Sequence, residues 1–252
     1  MQMNDDSSQI FSRTFFLTAG ECNAEGRMPL TLLTSRIIEV ATNHANSLGI
    51  GYADLIKIDL AWVLSRVSIE IGSLPGINDA YVLNTWIEST NRLFSERCFT
   101  LTDPQGRIYA QARTTWAAIC VSTRRPANPG AFGDMMFPAN PPVCPVSPAR
   151  RTPALSDTAD SVDYTFMYCD IDFNRHVNTV RYIGLILDRW PLGHYDNNEI
   201  ARFDIAFHHE CHFGETVTLR TSTDDGRVSA CELMLDGNRM VSANIVWREK
   251  IL

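Results

Sequence analysis

The segment PLTLLTSRIIEVATNHANSLG, residues 29–49, decides the fold of the first half of the chain. Its apolar side chains recur at the spacing of a helix that buries one face, with proline at the first turn and glycine just past the end. The segment therefore predicts one long helix. Its buried stripe is predicted to consist of Leu30, Leu33, Ile37, Ala41, His44 and Leu48.

Strand patterns follow this helix. Residues 61–71, 80–87 and 97–102 are rich in β-branched and aromatic side chains. A turn at Asp103 to Gly106 joins the last of them to residues 107–121 in a predicted hairpin. A helix cannot bury its stripe alone, and an antiparallel sheet has one face to cover. We therefore expect the sheet to curl around the helix.

The second half of the chain repeats this order. Residues 179–190 carry a shorter helical pattern that stops at Pro191. The predicted strands that come after it cover residues 201–213, 216–222, 228–235 and 240–247. The predicted fold class is α+β: a tandem double hotdog, in which each copy is an antiparallel sheet wrapped around a long helix.

A proline-rich segment separates the two halves. Eight of the twelve prolines lie between Pro126 and Pro153, and proline has no backbone donor for a β-ladder. We predict an N-terminal hotdog over residues 1–125, a linker over 126–160 and a C-terminal hotdog over 161–252. A hotdog usually needs a second copy to complete its site. Here that copy is supplied by the same chain, so we expect a monomer or a homodimer.

Composition argues against several classes of protein. The formal net charge of -7 disfavours a nucleic-acid binder, whose phosphate contacts need clustered cations. No run approaches the roughly 18 apolar residues of a membrane helix, and the acidic N-terminus does not resemble a signal peptide, so we expect a cytoplasmic protein. The seven scattered cysteines include no CxxC pair, which fits neither a disulfide framework nor a zinc site.

The first polar cluster precedes the second predicted helix. Asp172, Asn174 and His176 alternate, so in an extended loop they would point to one side and offer an acid/base pair and a hydrogen-bond donor. The same residue types are common in turns and helix caps, and Asn178 or Thr179 is well placed to cap the helix. The cluster by itself is compatible with both interpretations.

The second cluster, His208-His-Glu-Cys-His212, falls within a predicted strand. Alternation would place His208, Glu210 and His212 on one face, which resembles a metal site of two histidines and one carboxylate. The outer two ligands would be about 13 Å apart at ~3.3 Å per residue, too far to converge on one ion, so we predict no metal. Cys211, on the opposite face, is either a nucleophile that meets His176 or a buried thiol.

Together the two clusters resemble a known family. The string Asp172-Phe-Asn-Arg-His-Val-Asn178, followed by Tyr182-Ile-Gly184 and Glu210-Cys211, resembles the acyl-acyl-carrier-protein (acyl-ACP) thioesterases of plants and bacteria. Their pattern is D-x-N-x-H-V-N with a downstream E-C pair. First-half segments such as Trp62-Val-Leu-Ser-Arg66 look like the same family, so the resemblance spans about Ile10 to Glu249.

This resemblance implies hydrolysis of the thioester of fatty acyl-ACP, which releases free fatty acid and ends chain elongation. Carried over by position, it makes Asp172, Asn174, His176 and Glu210 the catalytic set and Cys211 an additional candidate. It also implies that the first hotdog holds the acyl chain, and we expect no cofactor. Activation of water by Glu210 or Asp172, and direct attack by Asp172 through an anhydride, both remain open.

Three other functions also remain open. A hotdog thioesterase acting on acyl-coenzyme A, or a hydratase or dehydratase, can use a similar histidine and acid. A non-enzymatic acyl-binding module needs only the apolar space. A metal-dependent enzyme would be built on the second cluster.

The expected partner is acidic, as is this chain, so docking of acyl carrier protein needs a local cationic surface. Between Ser122 and Leu155 there are four arginines and one acid, Asp134, which gives a local charge of +3. A solvated linker is the alternative explanation of these charges. The predicted docking residues are Arg124, Arg125, Arg150 and Arg151.

Overall fold

The chain forms two compact units. The computed structural model describes residues 10–128, 140–156, 159–224 and 226–250. The first unit comprises Met1–Pro29, Leu33–Ser65 and Gly72–Ser147, and the second comprises Leu30–Leu32, Arg66–Ile71 and Pro148–Leu252. Part of the predicted linker, including Asp134, lies outside the described residues. Within the described part of the chain, no helix is long and apolar enough to cross a membrane.

The first unit contains a long helix and antiparallel strands. Helix α1 spans Leu30–Ser47 and the short helix α2 spans Tyr52–Leu55. The strands are β1 (Phe11–Phe16), β2 (Leu60–Ile71), β3 (Ala80–Thr90), β4 (Phe94–Thr102) and β5 (Ile108–Cys120). Strand β3 pairs with β1 on one side and β4 on the other, and β5 pairs with β4, all antiparallel.

The long helix predicted from residues 29–49 is confirmed. It begins directly after Pro29 and ends two residues before Gly49, which has a left-handed backbone at φ 71°. The stripe residues Leu33, Ile37 and Ala41 are buried, and each fully buried large apolar side chain contributes about 1.5–3 kcal/mol. Side chains of α1 reach strands β3 and β4, so the helix covers one face of the sheet.

The second unit repeats the plan. It contains helices α3 (Thr179–Leu187) and α4 (Leu192–Asn197). Its strands are β6 (Asp160–Thr165), β7 (Asn198–Phe207), β8 (Thr216–Asp224), β9 (Val228–Leu235) and β10 (Asn238–Glu249). The antiparallel pairs run from β7 to β10, β9, β8 and β6 in that order. Residues 66–71 of β2 also belong to this second unit, and residues 66–70 pair antiparallel with β7.

Helix α3 is shorter than the predicted residues 179–190. It ends at Leu187, and Pro191 precedes the separate helix α4, because proline disfavours helical backbone at the residue before it. Tyr182 of α3 is buried, and its ring lies 5.7 Å from that of Phe166 and 6.1 Å from that of Phe207. The second helix is therefore packed by aromatic contacts as well as by its aliphatic stripe.

The strand predicted over residues 201–213 is wrong beyond Phe207. Strand β7 begins earlier, at Asn198, and ends at Phe207. After it, the backbone N–H groups of His208 and His209 both approach the carbonyl oxygen of Met240, at 2.9 and 3.3 Å. Two consecutive donors cannot share one acceptor in a regular ladder, so the chain leaves the sheet here and the predicted alternation of the second cluster is lost.

Candidate active site

A tight turn holds the first polar cluster. Asp172 Oδ1 accepts hydrogen bonds from the backbone N–H groups of Asn174 (2.8 Å) and His176 (3.1 Å). The backbone N–H of Asp172 donates to the carbonyl of His176 at 2.8 Å, and Arg175 closes the turn with a left-handed backbone at φ 68°. The segment is thus a turn and not the extended loop that alternation implied. Asp172 Oδ2 makes no hydrogen bond to any described residue.

Buried Asp170 lies just before this turn, and its backbone carbonyl accepts a hydrogen bond from Asn178 N–H, just after the turn, at 2.8 Å. It is 2% exposed and accepts hydrogen bonds from Met167 N–H (2.8 Å), Tyr164 Oη (3.0 Å) and Arg181 Nε (2.6 Å). Burial opposes ionisation, but these three donors hold the pKa of Asp170 below its usual value. Asp170 therefore acts as a fixed negative charge that joins the turn to α3.

His176 and Glu210 lie together, as the sequence motif predicted. His176 Nδ1 is 3.4 Å from Glu210 Oε1, and the two side chains are 23% and 35% exposed. Two residues that the motif did not include complete the surroundings. The backbones of His212 and His176 form an isolated antiparallel β-bridge, and the centres of their rings are 5.2 Å apart. His212 Nδ1 lies 3.6 Å from Glu215 Oε1. The sequence indicates the pairing of His212 with Glu215 only weakly, because the sole sign is a glycine, Gly214, that allows a turn between them.

Asn174 is placed differently from the other predicted catalytic residues. Its backbone N–H binds Asp172, whereas its side chain is exposed and makes no hydrogen bond to any described residue. Asp172 and His176 are partly buried. The side-chain amide of Asn174 is consequently available to a ligand rather than committed to the protein.

Cys211 has the properties of a buried structural thiol. It is fully buried, its backbone N–H donates to Tyr182 Oη at 3.1 Å, and its carbonyl accepts from Val177 N–H at 2.8 Å. Burial raises the pKa of the Cys211 thiol, and a nucleophilic cysteine needs the opposite. The structure thus disfavours Cys211 as a nucleophile. Its backbone hydrogen bond to Tyr182 connects the segment that contains Glu210 to α3.

His208 does not share a site with Glu210 and His212. Its Nε2 lies 2.9 Å from Ser242 Oγ, and burial, followed by the charge of Arg239, lowers its pKa. Across the described part of the chain, no group of three or more His, Cys, Asp or Glu side chains is placed to hold a metal ion. The alternative of a metal site on one strand face fails because the strand ends before this segment.

The predicted docking arginines are all exposed. Arg124 and Arg125 belong to the first unit and follow β5, whereas Arg150 and Arg151 belong to the second. The carbonyl of Arg150 accepts a hydrogen bond from Asn244 Nδ2 at 3.3 Å, so this part of the proline-rich segment is attached to β10. The guanidinium groups remain accessible to an acidic surface.

Two helix-and-sheet units and a carboxylate–imidazole site in the second define a protein of the tandem hotdog class. Two models of one family match nearly the whole chain. The acyl-ACP thioesterase N-terminal domain matches residues 8–129 and the acyl-ACP thioesterase C-terminal domain matches residues 154–249. The chain belongs to the acyl-ACP thioesterase family.

Individual relatives agree with this assignment. The structure is similar to that of an acyl-ACP thioesterase from Bacteroides thetaiotaomicron, with a TM-score of 0.90 and 29% identity over 97% of this chain and 100% of that one. The 12:0-ACP thioesterase from Umbellularia californica, with a TM-score of 0.87 and 23% identity over 99% and 100%, shares the fold.

A curated relative, the chloroplastic palmitoyl-acyl carrier protein thioesterase of Gossypium hirsutum, is 25% identical over 265 residues. That match covers 96% of this chain but 64% of the relative. The chain thus spans less than two thirds of the length of this relative.

Proposed function

We propose that this chain hydrolyses the thioester of fatty acyl-ACP and releases free fatty acid. Family membership supports the class of reaction. The observation that carries the proposal links three residues: the Asp172 carboxylate accepts a hydrogen bond from the backbone N–H of His176, and the His176 imidazole lies 3.4 Å from Glu210. Thioester hydrolysis needs a base for water and a group that stabilises an oxyanion.

In the proposed mechanism, Asp172 acts on the water. Its Oδ1 is already bound by two backbone N–H groups, which leaves Oδ2 to accept a proton as the water oxygen attacks the thioester carbonyl carbon. Glu210 is committed to His176 and so orients the imidazole in place of acting as the base. The imidazole of His176 and the side-chain amide of Asn174 donate hydrogen bonds to the negative oxygen. The C–S bond then breaks, and the carrier thiolate takes the proton from Asp172.

A covalent route is the alternative for the same residues. Asp172 Oδ2 would attack the carbonyl carbon, expel the thiolate and form an anhydride that water then opens. Single-turnover hydrolysis in isotope-labelled water tests for an anhydride opened at the Asp172 carbonyl, because only that step places label in the Asp172 side chain. We expect label in the released acid and none in the peptide that contains Asp172. Label in that peptide would show that hydrolysis follows the covalent route and not direct attack by water.

The substrate carrier is tested by a matched pair of thioesters. The same acyl group is offered on acyl carrier protein and on coenzyme A, and release of free thiol and free acid is measured for each. We expect a higher kcat/KM for the carrier-bound substrate. Equal or greater activity on coenzyme A would assign the chain to the other thioesterases, and acyl binding without hydrolysis would make it a binding module.

The exposed arginines supply the proposed docking surface for the acidic carrier. Charge reversal of all four to glutamate should raise KM for the carrier-bound substrate and leave kcat nearly unchanged, because rim charges act mainly on association. The same reversal should have little effect on a coenzyme A substrate. An unchanged KM for the carrier-bound substrate would refute the surface. The four residues are Arg124, Arg125, Arg150 and Arg151.

We also propose the domain roles, oligomeric state and location that the sequence predicted. The two family matches fall on either side of residues 130–153 and support a division near the proline-rich segment. Size-exclusion chromatography with light scattering tests the expectation of a monomer or homodimer. The cytoplasmic location stays a prediction, and the cotton relative is named as chloroplastic.

A further inference from the structure

A polar cluster lies inside the first unit and contains no residue of the candidate active site. Arg97 of β4 pairs across the sheet with Ile87 of β3 and Thr114 of β5, so these three side chains share one face. That face is covered by α1, since His44 Nδ1 lies 2.7 Å from Arg97 Nη1. Arg97 and His44 are each 5% exposed, and Thr85 beside them is fully buried.

Arg97 is a buried cation without an anion. Among the described residues, no carboxylate forms an ion pair with it, and its hydrogen bonds go to two neutral partners, His44 and Thr85. Burial, followed by the charge of Arg97, lowers the pKa of His44 to about 4, so the imidazole is neutral at pH 7. Burial also lowers the pKa of Arg97, but only to about 10, so the guanidinium keeps its charge. An uncompensated buried charge is costly unless a partner arrives from outside the chain.

The guanidinium also has unused donors. Both of its side-chain hydrogen bonds come from Nη1, at 2.7 Å to His44 and 3.5 Å to Thr85 Oγ1, whereas Nε and Nη2 make none to any described residue. Arg97 as a whole is 5% exposed, so a small part of the residue borders accessible space. The Nε and Nη2 edge of arginine is the fork that binds a carboxylate through two parallel hydrogen bonds.

The helix stripe and the sheet face that Arg97 shares are otherwise largely apolar. The helix contributes Ile37 and Ala41, and the sheet contributes Leu83, Ile87 and Phe99, all buried. Phe11 stacks on the His44 ring at 5.4 Å with an interplanar angle of 13°. A ligand that satisfies both the charge and these walls has a carboxylate head and an aliphatic chain.

We propose that Arg97, with His44 and Thr85, forms a carboxylate-binding site inside the first unit, and that its ligand is an aliphatic carboxylate. The carboxylate has two sources. It is either the head group of a free fatty acid or the far end of an acyl group that carries a second carboxylate. Only the second source rests on the proposed thioesterase function, since binding of a free acid requires no catalysis.

Equilibrium binding to the full chain tests the site directly. Decanoate and decanol have the same chain and differ in the head group, so isothermal titration of both isolates the contribution of the carboxylate. We expect decanoate to bind at least about tenfold more tightly than decanol, because a hydrogen bond to a charged group is worth ~1.5–3 kcal/mol. Decanoate should also raise the thermal unfolding midpoint more than decanol does. Equal affinity for the two ligands would overturn the proposal without any variant.

Variants then assign the effect to Arg97. The Arg97→Met variant should bind decanoate and decanol equally, and its unfolding midpoint should match or exceed that of the wild type because an unpaired buried charge has been removed. The Arg97→Lys variant keeps the charge but loses the fork, so it should keep only part of the preference. The exposed Arg92, changed to Met, is the matched control and should behave as the wild type. A preference for decanoate that persists in Arg97→Met would refute the site.

A kinetic measurement distinguishes the two sources. Carrier thioesters of decanoate and of decanedioate differ only by a carboxylate at the far end of the chain. A lower KM for the second, lost in Arg97→Met, assigns the site to the far end of the acyl group. Equal KM values assign it to the free acid. If neither thioester is hydrolysed, the proposed function fails while the binding result stands.

Discussion

The two units each bury a histidine among polar groups, but with partners of opposite charge. His44 in the first unit is almost fully buried beside Arg97, whereas His176 in the second is 23% exposed beside Glu210. Burial and the neighbouring cation favour the neutral form of the His44 imidazole. One fold therefore places an imidazole beside a buried cation in one unit and beside a carboxylate in the other.

Substitution of His176, the histidine of the second unit, should have the largest effect on activity. The His176→Ala variant should lose about 10²–10³-fold in kcat on the carrier-bound substrate, the usual cost of removing one donor that stabilises an oxyanion. Exposed His209 lies outside the site, and His209→Ala is the control that should retain wild-type activity. Full activity in His176→Ala would remove the whole site assignment.

Removal of the charge beside His176 should have a smaller effect. The Glu210→Gln variant keeps the volume of the side chain and loses the anion, so we expect kcat to fall by roughly 10–100-fold, corresponding to a charged contact of ~1.5–3 kcal/mol. The KM should change little, because Glu210 acts through the imidazole. A Glu210→Asp variant should recover part of kcat. A pure rise in KM would instead mean that Glu210 binds substrate.

Substitution of the buried Asp170 should lower the stability of the protein. The Asp170→Asn variant leaves Arg181 without its charged partner and should lower the free energy of unfolding by about 1–3 kcal/mol, measured by urea denaturation. Exposed Asp188, changed to Asn, should stay within about 0.5 kcal/mol. An Asp170→Asn protein with wild-type stability would mean that the buried carboxylate contributes nothing to the turn.

The smallest expected effect concerns pH and the first-unit histidine. The pKa of His44 falls from an ordinary 6.5 to about 4 on folding, so the unfolded chain binds more protons between these values. The stability that His44 contributes is therefore complete above pH 6.5 and is lost as the pH falls towards 4. Urea denaturation of the wild type and of His44→Gln should diverge over this range. Parallel curves would show that His44 does not titrate with folding.

Sequence patterns predicted the central elements and missed the edges. Helix α1 and the hairpin at residues 103–106 followed from periodicity and turn chemistry. Strands β1 and β6 were not predicted, because most of their residues are exposed and carry no alternating apolar signal. The prediction of a strand over residues 201–213 was too long, although the side chains beyond Phe207 are compatible with a strand. The departure of the backbone from the sheet is seen where the N–H groups of His208 and His209 approach the same carbonyl oxygen, that of Met240.

Candidate residues for the site could be proposed from the sequence, but their geometry could not. The motif named Asp172, His176 and Glu210, whereas the hydrogen bonds of the Asp172 side chain within its own turn depend on the backbone of Arg175. The pairing of His44 with Arg97 had no sequence signal, since one residue belongs to a helical stripe and the other to a strand 53 positions away. Such a contact is visible only once the sheet register is known.

Strand β2 limits how the chain can be divided. Its residues 66–70 precede the proline-rich segment in sequence but form their ladder with β7, which follows it. A fragment that stops near residue 125 would leave these backbone donors and acceptors unpaired and open to other chains. Expression of the first family domain alone should therefore favour aggregation, and a soluble fragment would need residues 66–71 replaced by a charged or proline-containing edge.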